Sequence, residues 1–144
     1  MKIPLRAFLP CLLLAFAARA AAADPVGPDK VVYHFSAGLE QASDGLRNIR
    51  NHLEVNPKAR IVVVAHARGV DYLMKGAKDP NGNKYQDLVE NLKNQGVRFD
   101  ICEITLRNRS LKREQFIEEG SYVPSGVAEI ARLQQREGYA YIRP

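Results

Sequence analysis

Four residues of this chain have side chains suited to chemistry at a common rim: His34, His66, Arg68 and Cys102. Cys102 sits in "DICEITL", Asp100 to Leu106. A cysteine attacks or binds as its thiolate, which a nearby cation or a helix amino end favours. Arg68, Arg107, Arg109 and the amides that open a helix after Ser125 are candidates for that support. The opposing reading is a small apolar residue packed in a strand, because unpaired cysteine is among the most buried residue types. Glu103 would raise the thiol pKa if its carboxylate came close, but neighbours along a strand point to opposite faces. His34 and His66 with Cys102 offer two nitrogens and a sulfur to a metal ion, although their spacing is not local. The remaining histidine, His52 in "NIRNHLE", is expected to face solvent.

"VPSGVAEI" places Ser125 where a helix needs a cap. With Gly126 beside it, that helix start also forms an anion site. "ARG", Ala67 to Gly69, adds an arginine to such a pocket or is simply a loop with a glycine turn. The chain has no Gly-rich phosphate loop, G-x-S-x-G elbow, H-E-x-x-H or C-x-x-C. Common hydrolases and dithiol oxidoreductases therefore find little support.

These residues depend on a regular alternation of elements. "KVVYHF" (Lys30 to Phe35), "ARIVVVAH" (Ala59 to His66), "VRFDICEI" (Val97 to Ile104), "SYVP" (Ser121 to Pro124) and "YAYI" (Tyr139 to Ile142) read as strands, β-branched and aromatic. The run Ile61 to Val64 has no polar alternation, as expected of a strand covered on both faces. Between the strands lie amphipathic helices. Leu46, Ile49 and Leu53 mark the first; Tyr85, Leu88, Val89 and Leu92 the second, ended by Gly96; Val127, Ile130, Ala131 and Gln134 the third, ended by Gly138. "VDYLMK" reads as a short helical piece before the surface loop "KGAKDPNGNK". The pattern predicts an α/β domain with a mostly parallel sheet and helices on both faces. Sites in such sheets gather at the carboxyl ends of the strands, which is where His34, His66, Arg68, Cys102, Ser125 and Gly126 fall.

The first residues have a separate role. Lys2 and Arg6, an apolar run from Ala7 to Ala18 and small residues after it predict a cleaved secretory signal peptide over residues 1–23, with one domain over 24–144. The expected location is the periplasm or another exported compartment, with no membrane attachment after cleavage. Cys11 leaves with the signal, so the mature chain has one cysteine and no intrachain disulfide. Of 21 Lys and Arg residues, Lys2, Arg6 and Arg19 leave too, and 18 face 16 acidic residues, a net of +2. Mixed signs along the chain argue against nucleic acid as a partner.

The order "KVVYHFSAG", "NHLEVNPKARIVVVAH", "VRFDICEITL" and "YVPSGVAEIARLQQREGYAYIRP" resembles the DsrE/DsrF-like family, from about Lys30 to Pro144, and is similar above all to its exported members. The resemblance implies a flavodoxin-like, three-layer α/β/α fold with a five-stranded sheet, assembled as a homotrimer or homohexamer. It also implies sulfur relay, with sulfane sulfur held as a persulfide on a cysteine just after the third strand, the position of Cys102. The arginine-glycine pair that follows this cysteine in the sulfur-relay members is absent; Arg107, Asn108, Arg109 and Ser110 stand there. The expected role is thus a sulfur carrier or sulfurtransferase that needs no cofactor and meets a donor or acceptor protein. The alternative is a non-catalytic oligomeric module that binds a small anion or a metal ion at the same rim.

Overall fold

A computed structural model describes residues 27–144. The expected signal peptide and Cys11 lie outside the described residues. The elements are β1 (Lys30–Phe35), α1 (Leu39–Val55), β2 (Arg60–Ala65), a 3-10 segment (Ala67–Leu73), α2 (Tyr85–Asn94), β3 (Arg98–Cys102), α3 (Glu103–Asn108), a 3-10 turn (Arg113–Gln115), β4 (Gly120–Val123), α4 (Gly126–Glu137) and β5 (Ala140–Ile142). The five strands form one sheet in the order β4-β3-β2-β1-β5, and every pairing is parallel. This is the flavodoxin-like α/β arrangement expected from the sequence.

The unbroken apolar run of β2 is explained by its position at the centre of the sheet. Ile61 and Val63 join Val31, Tyr33, Phe35, Phe99 and Ile101 in the larger core, beneath α1, α2 and the 3-10 segment. Val62 and Val64 turn the other way and meet Ile130 and Leu133 of α4, together with Val32. Alternate residues of one strand thus serve two cores, which leaves no place for a polar face.

Three expectations need correction. First, α4 buries Gly126, Ile130 and Leu133, while Val127 is 61 % exposed and Ala131 and Gln134 face solvent. Second, β3 stops at Cys102 instead of Ile104, because its neighbours run out: the last pairs are Ala65↔Ile101 and Cys102↔Val123. The chain turns into α3 at Glu103. A six-residue helix is too short to reveal a period in sequence. Third, His52 is half-buried: its Nδ1 is 3.1 Å from the Tyr33 hydroxyl and its Nε2 is 3.3 Å from Asp29 Oδ2.

Gly69 locks the loop after β2 against the end of β1. A Cβ there would lie 2.1 Å from the Phe35 carbonyl oxygen and 2.6 Å from the Ser36 nitrogen, both main-chain atoms that cannot swing aside. Gly69→Ala is therefore expected to lower stability by roughly 1–3 kcal/mol, the usual scale of overpacking. The check is a urea titration showing a lower midpoint at unchanged slope; an unmoved midpoint would show that the loop is free to retreat.

Candidate functional site

At the carboxyl end of the sheet a cavity of about 410 Å³ is lined by His66, Ala67, Arg68, Cys102, Ile104, Thr105, Asn108, Arg109, Ser125 and Val127. Cys102 is the last residue of β3 and the residue before α3. Although only 4 % exposed, it lines this cavity. It is accordingly well packed, with its small exposed part on the cavity wall.

Gly126 brings α4 onto this spot. A Cβ at Gly126 would sit 3.3 Å from Cys102 Cβ, 3.3 Å from His66 Cβ and 3.3 Å from Val64 Cγ1. The absence of a side chain lets the first turn of α4 lie directly on the ends of β2 and β3. Ser125 acts as the expected cap, its Oγ accepting from the Ala128 N–H at 3.4 Å.

Burial pushes the Cys102 thiol up, but hydrogen bonds from the Gly126 amide, the Thr105 amide and hydroxyl, and the Ile104 amide outweigh it. The net effect is a pKa below the ordinary thiol value. The principal support is thus a cradle of amides and one hydroxyl, where the sequence had pointed to guanidinium groups as well.

Thr105 has a second task. Its Oγ accepts the Ala67 N–H at 2.8 Å, so its own proton is free to point at the sulfur. Ala67 has a left-handed φ of 49°, unusual for a residue other than glycine. Both of its main-chain polar groups are held from α3 and its end: the N–H by Thr105 and the carbonyl by Arg109 Nη1 at 2.9 Å. Arg109 is itself oriented by Asp71 Oδ1 at 2.6 Å. The loop that presents His66 and Arg68 is thereby clamped to the helix that cradles the thiol.

The structure therefore unites His66, Arg68, Cys102 and Ser125 around one cavity, with Gly126 packed directly behind Cys102 and His66. His34 stands one step back, its Nε2 2.6 Å from His66 Nε2. Arg68 is exposed and makes no hydrogen bond or ion pair among the described residues. Glu103 and Arg107 lie by a different surface hollow, where Glu103 pairs with Arg113. Among the described residues no group of three or more His, Cys, Asp or Glu side chains is placed to hold a metal ion. Sequence reasoning missed Thr105, Asn108 and the apolar rim of Ile104 and Val127. The only signal for Thr105 was its place one helical turn beyond Cys102, which a strand reading of "CEIT" conceals.

A parallel five-stranded sheet, with a cradled cysteine at the end of its third strand and a helix start packed on it, defines a flavodoxin-like α/β protein with a single-thiol site. The chain belongs to the DsrE/DsrF-like family, whose model matches residues 14–144. It is similar to the protein of unknown function MTH1491 from Methanobacterium thermoautotrophicum, with 36 % identity over 81 % of this chain and 99 % of that one and a TM-score of 0.71. The fold is also that of the ychN protein from E. coli, with 17 % identity over 83 % of this chain and 100 % of that one and a TM-score of 0.65. No curated protein matches the chain.

Thr105 provides the test of the cradle. Thr105→Val removes a hydrogen bond to a charged sulfur, about 1.5 kcal/mol, or roughly tenfold in thiolate population below the thiol pKa. Iodoacetamide alkylation of Cys102 at neutral pH should slow by that factor, and Thr105→Ser should restore it. Equal rates for the wild type and Thr105→Val would mean that the hydroxyl does not reach the sulfur.

Proposed function

We propose that this protein carries sulfane sulfur as a persulfide on Cys102. The observation that supports this reading most is the position of Cys102: it ends β3, lines the cavity and lies under the first turn of α4, and the Gly126, Thr105 and Ile104 amides and the Thr105 hydroxyl lower its thiol pKa. Such a site favours the thiolate, the form that attacks. The amides that stabilise the thiolate also suit the anionic terminal sulfur of a persulfide.

The reaction is an exchange without net oxidation. The Cys102 thiolate attacks the outer sulfur of a donor persulfide, forming a Cys102 Sγ–S bond as the donor's S–S bond breaks and its thiolate leaves. Transfer onward reverses the roles: an acceptor thiol takes the outer sulfur and Cys102 leaves as thiolate. No cofactor takes part. Arg68, exposed beside the cavity and unpaired among the described residues, attracts the anionic donor. Membership of the DsrE/DsrF-like family supports a sulfur-relay role.

The protein works in an exported compartment as a homo-oligomer, trimeric or hexameric. Supporting the first is the signal-like start of the chain. Supporting the second are Ile104, 39 % exposed, and Val127, 61 % exposed, apolar residues on the cavity rim that a second copy would cover. Among the described residues no helix is long and apolar enough to cross a membrane.

Intact mass spectrometry tests the chemistry directly. The protein treated with sodium polysulfide should gain sulfur that maps to Cys102 and is lost on reduction, while Cys102→Ser, folded, should gain none. Uptake undiminished in Cys102→Ser would overturn the proposal. The mass of protein secreted from a host cell should show cleavage near residue 23, and light scattering should give three or six times the monomer mass. An uncleaved chain or a monomer would remove the corresponding part of this reading.

A further inference from the structure

The side of the sheet that α4 packs on carries a line of polar groups that the sulfur chemistry described so far does not use. His66 follows the end of β2 and lines the Cys102 cavity. Its Nε2 is 2.6 Å from Nε2 of His34 on the neighbouring strand β1, and the planes of the two rings are 28° apart with their centroids separated by 4.7 Å. His34 Nδ1 in turn is 2.6 Å from the hydroxyl of Tyr141 on β5, the edge strand, and Tyr141 is 42 % exposed. Register explains the alignment. Val32 pairs with Tyr141 and His34 pairs with Val64, so Tyr141, His34 and His66 lie on one face across three adjacent strands.

We infer that His66, His34 and Tyr141 form a proton wire from the Cys102 cavity to solvent at the β5 edge, with His66 taking the proton of an acceptor thiol during sulfur transfer. This rests on the persulfide reading above. Two imidazole nitrogens 2.6 Å apart share one proton, so the tautomers of the two histidines are coupled and change together. With Nε2–H on His66 donating to His34, and Nδ1–H on His34 donating to Tyr141, the free Nδ1 of His66 is a base. That atom hydrogen-bonds to nothing among the described residues. The hydroxyl proton of Tyr141 points onward to water.

An acceptor thiol gives its proton to His66 Nδ1, and its thiolate attacks the outer sulfur of the Cys102 persulfide. The S–S bond to Cys102 breaks, the acceptor becomes the persulfide, and Cys102 leaves as its cradled thiolate. Meanwhile His66 passes its Nε2 proton to His34, His34 passes its Nδ1 proton to Tyr141, and Tyr141 releases a proton to water. The line resets when water returns a proton at Tyr141, the shifts along His34 and His66 reverse, and His66 Nδ1 releases its proton to water in the cavity.

The surroundings keep both rings neutral and ready. Burial, then His66 and Arg143, hold the His34 pKa down to about 4; burial, then Arg143, lower that of His66. The charged and titratable groups near the pair are Arg143 from the tail after β5, bonded to Ser36 Oγ at 3.2 Å, Arg68 from the 3-10 segment, Tyr141 from β5 and Cys102 from β3. The start of α4 brings Gly126 and no charge. None of these groups is a carboxylate that would trap a proton on the histidines.

The test separates loading from unloading. Wild type, Tyr141→Phe and His34→Gln are loaded with sodium polysulfide and then mixed with glutathione, and the persulfide on Cys102 is followed by quenched mass spectrometry across pH. Tyr141→Phe should load as the wild type does, because loading consumes a donor that is already anionic, and unloading of each variant is followed from its fully loaded form. Unloading by the two variants should be at least fivefold slower near pH 6.5. The gap should close above about pH 9, where a thiol of ordinary pKa no longer needs a base. Unchanged unloading, or slowing by the same factor at every pH, would overturn the wire. The second readout is the ¹⁵N spectrum of the imidazoles. It should show the Nε2–H form of His66 and the Nδ1–H form of His34, both disturbed in Tyr141→Phe; tautomers indifferent to Tyr141 would overturn it. If the wild type takes up no sulfur, the persulfide reading fails, and this spectrum alone decides whether the wire exists.

Discussion

Gly126 has no side chain, and the room this leaves lets α4 begin directly on the ends of two strands. The position where a Cβ would stand is 3.3 Å from Cys102, His66 and Val64 alike. One close approach therefore joins three things: the second core beneath α4, the amide that supports the Cys102 sulfur, and the placement of His66 on the same cavity wall. A helix displaced outward by a few tenths of an ångström would loosen all three at once, since hydrogen bonds weaken steeply with distance and angle.

From that contact the other parts follow. β3 ends because its neighbours end, and α3 starts there and supplies two more amides and the Thr105 hydroxyl. Thr105 and Arg109 then hold Ala67 in a left-handed conformation, which fixes the direction of the loop carrying His66 and Arg68. Strain at a loop residue persists where the surroundings over-determine it, and here both main-chain groups of Ala67 are engaged. The sulfur site and the histidine line are thus two outcomes of one clamped junction.

Family membership and fold agree with this site without explaining its details. MTH1491 is itself of unknown function, and a shared fold does not assign a reaction. The arginine-glycine pair expected after the cysteine is missing, and its place is taken by α3 and the turn at Ser110, which has a φ of 53°. In this chain the segment after the cysteine is short and helical, and it is tied to the loop after β2 through Thr105 and Arg109.

Much of this was legible in the residues. The strands, the three longer helices and the gathering of His34, His66, Arg68, Cys102, Ser125 and Gly126 at one end of the sheet follow from local pattern and from the rule that parallel sheets place their loops there. Burial on two faces leaves a continuous apolar run, as in β2, and a glycine with positive φ ends a helix, as Gly138 does. What remained hidden depends on distance between segments far apart in sequence. Whether β3 continues past Cys102 is decided by where β2 and β4 stop, and which face α4 buries is decided by the sheet beneath it. That Thr105 serves Ala67 and Cys102 together, and that His34 links His66 to Tyr141, is decided by register across neighbouring strands. Periodicity reports the environment of a single element; hydrogen bonds between elements exist only once the sheet has set their separation.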